Sequence, residues 1–202
     1  MKVVVATHNA GKLREFQELL SPFDFELLSL AQFTRTAPKE TGLTFIENAI
    51  LKARHAAKTT GLPAIADDSG IEVDALHGAP GIYSARFAGE GASDMDNLNK
   101  LLTELRKNSS SPRTARYQCA LAFMRWDTDS SPIVVQASWE GRIIDTPRGT
   151  AGFGYDPIFE LESGVTAAEL APHEKNQRSH RGKALRSLVD RLRTEFGAAS
   201  AR

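Results

Sequence analysis

Lys2-Val3-Val4-Val5-Ala6-Thr7-His8-Asn9-Ala10-Gly11-Lys12 is the stretch that decides the fold. The run from Lys2 to Ala6 is apolar enough to be a strand buried on both faces. Thr7 to Lys12 is a small polar loop. Leu13, Phe16, Leu19 and Leu20 then recur at helical spacing, and Pro22 ends that helix. Phe25 to Leu30 reads as a second strand. Strand, polar loop, helix, strand is the opening of an α/β chain.

Further along, Thr44 to Thr60 reads as a helix. Thr44 and Glu47 form a capping box, and Gly61 is its stop. Phe45, Ala49, Ala53 and Ala57 line one face. Ala64-Ile65-Ala66 reads as a short strand running into Asp67-Asp68-Ser69-Gly70. Residues 77–92, rich in glycine, read as a long loop. Ser93 and Asp96 cap another helix that runs to about Leu105. Asn108 to Pro112 is a polar turn. Arg113–Met124 and Ile133–Trp139 read as a long antiparallel hairpin joined at Asp127 to Ser131. A last helix starts near Ser179 with Leu185, Leu188, Leu192 and Phe196 inward, and Ala198 to Arg202 are expected to fray.

With 202 residues the chain can bury about 70% of its unfolded surface, so it needs no metal or disulfide staple. Cys119 is the single cysteine, which excludes an internal disulfide. Lys plus Arg and Asp plus Glu both total 25. That balance speaks against a whole-surface grip on nucleic acid or an anionic membrane. No apolar run approaches the roughly 18 residues of a membrane span. Met1 to Ala6 is too short for a secretory signal, so a cytoplasmic protein is expected. No repeat or linker separates independent domains.

Four constellations carry candidate chemistry. The loop at Thr7, His8, Asn9, Ala10, Gly11 and Lys12 lies between a strand and a helix N-terminus, where free amides and the helix dipole favour an anion. The same residues equally make an ordinary helix cap, and the spacing is not that of a Walker loop. Glu40, Asp67 and Asp68 offer hard oxygens to a divalent cation. Alternation along a strand turns Asp67 and Asp68 to opposite sides, so one of the two belongs to a site. Asp-Asp-Ser-Gly is also good turn composition. Gly152-Phe153-Gly154-Tyr155-Asp156-Pro157 sets two aromatics among glycines, either to stack a flat ring or as core aromatics at a bulge. Ser179-His180-Arg181 places two basic residues in the first turn of a helix, against its dipole, and such local violations mark function or a solvated surface. Amides and lysines for phosphates, carboxylates for Mg²⁺, and aromatics with an arginine for a base together describe a nucleoside triphosphate.

The ordered set resembles the inosine/xanthosine triphosphate pyrophosphatase family. It comprises Thr-x-Asn-x-x-Lys at 7–12, Glu-Thr-Gly-x-Thr-Phe-x-Glu-Asn-Ala at 40–49 and Ala-Asp-Asp-Ser-Gly at 66–70. Pro-Gly-Ile-Tyr-Ser-Ala-Arg-Phe-Ala-Gly at 80–89, Gly-Phe-Gly-Tyr-Asp-Pro at 152–157 and Ser-His-Arg at 179–181 complete it. His8 stands where many relatives have Gly. The resemblance implies one ITPase-like α/β domain over residues 1–202. That domain would have a long mixed sheet with helices on both sides and two lobes flanking an active-site cleft. It also implies a homodimer that hydrolyses ITP, dITP or XTP to the monophosphate and pyrophosphate.

By the same resemblance, Asp68 is the catalytic proton acceptor and a metal ligand, with Glu40 its partner on Mg²⁺. Thr7 to Lys12 hold the triphosphate, with Ser69 nearby and Lys52 assisting. Phe153, Gly154, Tyr155 and Asp156 frame the base, with Phe153 stacking. Lys175, His180 and Arg181 close the pocket, and Asp67 supports. A pyrophosphatase for pyrimidine or modified-guanine triphosphates carries a different motif set. A nucleotide sensor has no need of both Glu40 and Asp68.

Overall fold

The computed structural model describes residues 1–7, 13, 16–18, 20–21, 23–107 and 111–196. His8 to Lys12, Leu19, Pro22, most of the expected turn at 108–112 and the tail at 198–202 lie outside the described residues. Among those described, six strands form one sheet in the order β2-β1-β3-β4-β5-β6. They are β1 Lys2–Val5, β2 Glu26–Ser29, β3 Ala64–Val73, β4 Thr114–Met124, β5 Ile133–Ile143 and β6 Phe159–Glu160. The helices that matter here are α1 Phe45–Thr60, α2 Asp94–Lys107, α3 Pro172–Arg178 and α4 His180–Phe196. β1 pairs in parallel with β2 and β3, while β5 and β6 are antiparallel, so the sheet is mixed and the fold α/β.

The chain divides into two compact units. The first takes residues 1–68, 119–137 and 183 onward. Its core joins Val3 and Val5 of β1 with Phe16, Leu20, Ile65 and the buried thiol Cys119. Leu185, Leu188 and Leu192 of α4 close it. The second takes residues 69–118 and 138–182. Ile71 and Val73 pack there with Leu98, Leu101 and Leu105 of α2 and with Tyr117, Trp139, Tyr155 and Phe159. No helix among the described residues is long and apolar enough to cross a membrane.

Two local readings hold in atomic detail. At α1 the Thr44 hydroxyl accepts from the Glu47 amide at 3.2 Å, and the Glu47 carboxylate accepts from the Thr44 amide at 2.8 Å. Gly61 then ends the helix at φ 67°, a left-handed conformation that a Cβ disfavours. At α4 the Ser179 hydroxyl accepts from the Gly182 amide at 3.1 Å, so Ser179 is the cap and His180 and Arg181 are the first helical residues.

Other expectations are corrected. β3 does not stop before the acids. It runs ten residues, from Ala64 through Asp67-Asp68-Ser69-Gly70 to Val73, and both acids are buried mid-strand. Good turn composition loses here because the acids find partners inside. Residues 77–92 are not wholly loop, since Gly81–Arg86 forms a 3-10 helix. β5 extends four residues past Trp139, to Ile143. Pro172 opens a short helix, α3, just before Ser179, where the sequence reading placed none.

Candidate active site

Within the first unit, one group of side chains gathers where α1 faces β3. Lys52 lies two turns into α1. Its Nζ donates to Asp68 Oδ1 at 2.6 Å and to Glu40 Oε1 at 3.0 Å. Asn48, one turn earlier on the same face, is fully buried. Its Nδ2 donates to Asp68 Oδ2 at 3.4 Å, and its Oδ1 accepts from the Gly42 amide at 2.9 Å. That second bond folds the segment carrying Glu40 back onto the helix. It requires glycine at 42, because a Cβ there would lie 2.6 Å from Glu47 Cβ and 2.7 Å from Asn48 Oδ1.

The electrostatics of this group oppose burial to charge. Burial alone would push the Lys52 ammonium down. Asp68, Asp67 and Glu40 outweigh it, so the pKa stands above the ordinary 10.5. For Asp68, burial is the largest influence and raises its pKa above 3.8. Lys52 pulls it back, and Glu40 and Asp67 push it further up. Alternation along β3 leaves the Lys52 hydrogen bond to Asp68, while Asp67 acts on Lys52 through its charge. Thr7 is buried just after β1, and Ser29 donates to its carbonyl at 3.1 Å.

A second group lies wholly within the second unit. Phe153 is 49% exposed, so it is not core. Lys175 Nζ lies 4.8 Å from its ring centroid and the Arg181 guanidinium carbon 5.8 Å. Asp156 beneath it is only 2% exposed. Its Oδ2 accepts from the Phe153 amide at 2.8 Å and pairs with Lys175, and its Oδ1 accepts from the Tyr117 hydroxyl at 3.1 Å. Gly152 makes room for this carboxylate. At φ 81° it takes a left-handed conformation, and a Cβ there would fall 2.1 Å from Asp156 Oδ2.

His180 is buried and stacks on Tyr117 with ring centroids 4.7 Å apart and planes at 8°. Arg181, also buried, reaches Ser69 Oγ at 3.4 Å. The two basic residues at the start of α4 are therefore interior side chains and not a solvated surface. Gly154 donates its amide to Asp94 at 2.8 Å. Tyr155 is the exception to the expected base frame. Its ring is buried in the core and its hydroxyl donates to the Ser84 carbonyl at 2.8 Å. Burial holds that phenol well above its usual pKa of 10.

The fold thus brings Glu40, Lys52 and Asp68 together in one unit. In the other it gathers Ser69, Phe153, Gly154, Asp156, Lys175, His180 and Arg181. Three participants escaped the sequence reading. Asn48 was legible as a polar residue on the buried face of α1, four residues before Lys52. Asp94 and Tyr117 carried no signal, because only the tertiary fold sets them beside residues 153–156.

The Ham1 family model matches residues 3–191 of the chain. A dITP/XTP pyrophosphatase of Vibrio parahaemolyticus is 58% identical over 192 residues, covering 95% of this chain and 96% of that one. One from Shigella flexneri is 58% identical over 193 residues, covering 95% and 98%. A HAM1 protein from Coxiella burnetii superposes with a TM-score of 0.92 at 48% identity, covering 96% of this chain and 99% of that one. A nucleoside-triphosphatase / dITP/XTP pyrophosphatase from Mycobacterium abscessus gives 0.77 at 42% identity, covering 94% and 99%.

Lys52→Met tests the first group. Removing the cation leaves the Asp68 and Glu40 carboxylates, with the Asp67 charge nearby, without compensation, and we expect a loss of about 3 kcal/mol. Lys52→Met/Asp68→Asn should recover a good part of that loss in urea unfolding. Equal stability of wild type and the single variant would mean that the lysine does not hold the acids.

Proposed function

The chain belongs to the Ham1 family, and from that premise we infer that it hydrolyses deaminated purine nucleoside triphosphates, ITP, dITP and XTP, to the monophosphate and pyrophosphate. The purpose of such an activity is to clear deaminated purines from the nucleotide pool. The observation that carries the reading is Asp68, a carboxylate buried mid-strand and held at 2.6 Å by Lys52. Phosphoanhydride cleavage needs charge neutralisation and an aligned water more than covalent chemistry.

In the proposed mechanism Asp68 takes a proton from the water that attacks the α-phosphorus, and pyrophosphate departs. Burial, which raises the pKa of Asp68, makes it a better base than an exposed aspartate. Glu40 and Asp68 would hold Mg²⁺. The donor set fits, since two carboxylate oxygens already flank one cation, the Lys52 ammonium, at 3.0 and 2.6 Å. No three His, Cys, Asp or Glu side chains among the described residues form a ligand cage. Mg²⁺ commonly takes one or two protein carboxylates and completes its shell with phosphate oxygens and water. When bound, it supplies charge neutralisation at the phosphates. Thr7 to Lys12, with Ser69 and Lys52, are assigned to the triphosphate.

Base recognition is assigned to the second group. Phe153 offers an exposed ring for stacking. Hypoxanthine and xanthine present an acceptor at position 6 and a donor at N1, whereas adenine reverses both. Lys175, Arg181 and His180 supply donors, and Asp156 an acceptor. A site built for the keto form rejects adenine by about 10⁴ because its polar groups would be left unpaired. Guanine shares both groups and has to be excluded at its 2-amino substituent. The protein is further proposed to be a cytoplasmic homodimer. Pyrophosphate release from ITP, XTP, GTP, ATP and dTTP, with and without Mg²⁺, tests the reading directly.

Three substitutions separate the roles. Asp68→Asn should lower kcat by about 10² or more in a protein that still melts cooperatively, and a loss under about tenfold would sink the assignment. Glu40→Gln should raise the Mg²⁺ concentration needed for half-maximal rate, since a hard ligand loses its charge. An unchanged Mg²⁺ titration would remove Glu40 from the metal. Phe153→Ala should raise KM for ITP by the equivalent of about 1–3 kcal/mol, the usual worth of a base stack. Its exposure implies little change in melting temperature. A large drop in melting temperature with KM unchanged would misplace the base.

A further inference from the structure

Tyr117 sits on β4, outside every motif of the sequence reading, yet it touches both sides of the group around Phe153. Its hydroxyl donates to Asp156 Oδ1 at 3.1 Å. Its ring lies flat against the His180 imidazole and packs edge-on against Phe159, with centroids 4.7 Å apart in both cases. Trp139 stacks on the same imidazole with centroids 6.4 Å apart. Tyr117 itself is 8% exposed, so it lies behind the residues assigned to the base.

We propose that Tyr117 is a positioning residue that sets the preference for 6-oxo over 6-amino purines by fixing Asp156 and carrying His180. This rests on the base-site reading above. The chemistry runs through Asp156. A carboxylate has about four acceptor positions. The Phe153 amide and the Lys175 ammonium are both on Oδ2, and the Tyr117 hydroxyl is on Oδ1. The third donor prevents the carboxylate from turning. It keeps Oδ2 on Lys175, and so keeps the ammonium over the Phe153 face. Burial, reinforced by the Asp156 charge, holds the phenol well above its usual pKa of 10, so the group remains an O–H donor throughout the working range.

Tyr117→Phe keeps the ring stack and removes only the hydroxyl. Steady-state kinetics with ITP and ATP on the full chain, together with thermal melting, test it. Loss of one hydrogen bond to a charged group should raise KM for ITP about fivefold to tenfold, with kcat changed by less than about twofold, and the ITP-to-ATP ratio of kcat/KM should fall by at least the same factor. A lower melting temperature with KM and that ratio unchanged would give Tyr117 a purely structural role and overturn the proposal. Phe153→Ala, measured alongside, keeps the two failures apart. If it raises KM for ITP and Tyr117→Phe does not, only the positioning role falls. If neither variant changes KM, the base-site reading falls with it.

Discussion

A carboxylate taken out of water must find a partner or lose its charge. That constraint governs both units. In the first, Asp68 lies mid-strand on β3 and its partner is Lys52, delivered from α1. In the second, Asp156 lies under the glycine-rich loop and its partner is Lys175, delivered from α3. Each pair is a short helix–strand or helix–loop cross-link made of one ammonium and one carboxylate. A third group refines each carboxylate, Asn48 in the one case and Tyr117 in the other. Replacing such pairs by hydrocarbon commonly leaves stability unchanged or better. What they supply is charge held ready inside a dry setting, and a hydrolase of phosphoanhydrides needs that.

The rest of the local architecture serves to aim these lysines. The capping box at Thr44 and Glu47 starts α1 at a fixed residue, which sets the rotation of the helix and so the face on which Asn48 and Lys52 emerge, four residues apart. Gly42 lets the preceding segment lie against that face and brings Glu40 to the same ammonium. The Ser179 cap does the equivalent for α4. It fixes where the helix begins, and the first two residues then point His180 and Arg181 inward at the cost of an unfavourable helix-dipole term.

Much of this was legible in the amino-acid sequence, for reasons that differ from residue to residue. The capping box and Gly61 are read from local hydrogen bonding alone, and they hold as read. The basic first turn of α4 could be flagged because it violates a local preference. The span of β3 could not be read. Asp67-Asp68-Ser69-Gly70 is turn-like by composition, and it takes partners from elsewhere in the chain, Lys52 and Asn48 of α1 on Asp68, to make a strand there tolerable. The burial of the Tyr155 ring was not legible for a related reason. Its neighbours Phe153 and Asp156 belong to the candidate site, but its own hydroxyl goes to the Ser84 carbonyl, a partner 71 residues away that no local pattern announces. Tyr117 was invisible because a tyrosine in an apolar strand has the same signature whether its hydroxyl is decorative or engaged.

The loop around Phe153 has a consequence for the entropy of association. Its backbone is tied at consecutive residues, the Phe153 amide to Asp156 and the Gly154 amide to Asp94, both at 2.8 Å. Gly152 before it and Asp156 after it leave little room for rearrangement, since even a methyl group at 152 would strike the carboxylate. An exposed aromatic on a slack loop would have to be ordered each time a ligand arrived, and each immobilised side chain of that kind subtracts roughly 0.5–1.5 kcal/mol from affinity. Here the backbone part of that ordering is already made in the folded chain, and Lys175 and Arg181 lie against the ring. A flat partner settling on it loses its own freedom but asks the loop to surrender little more of its backbone freedom.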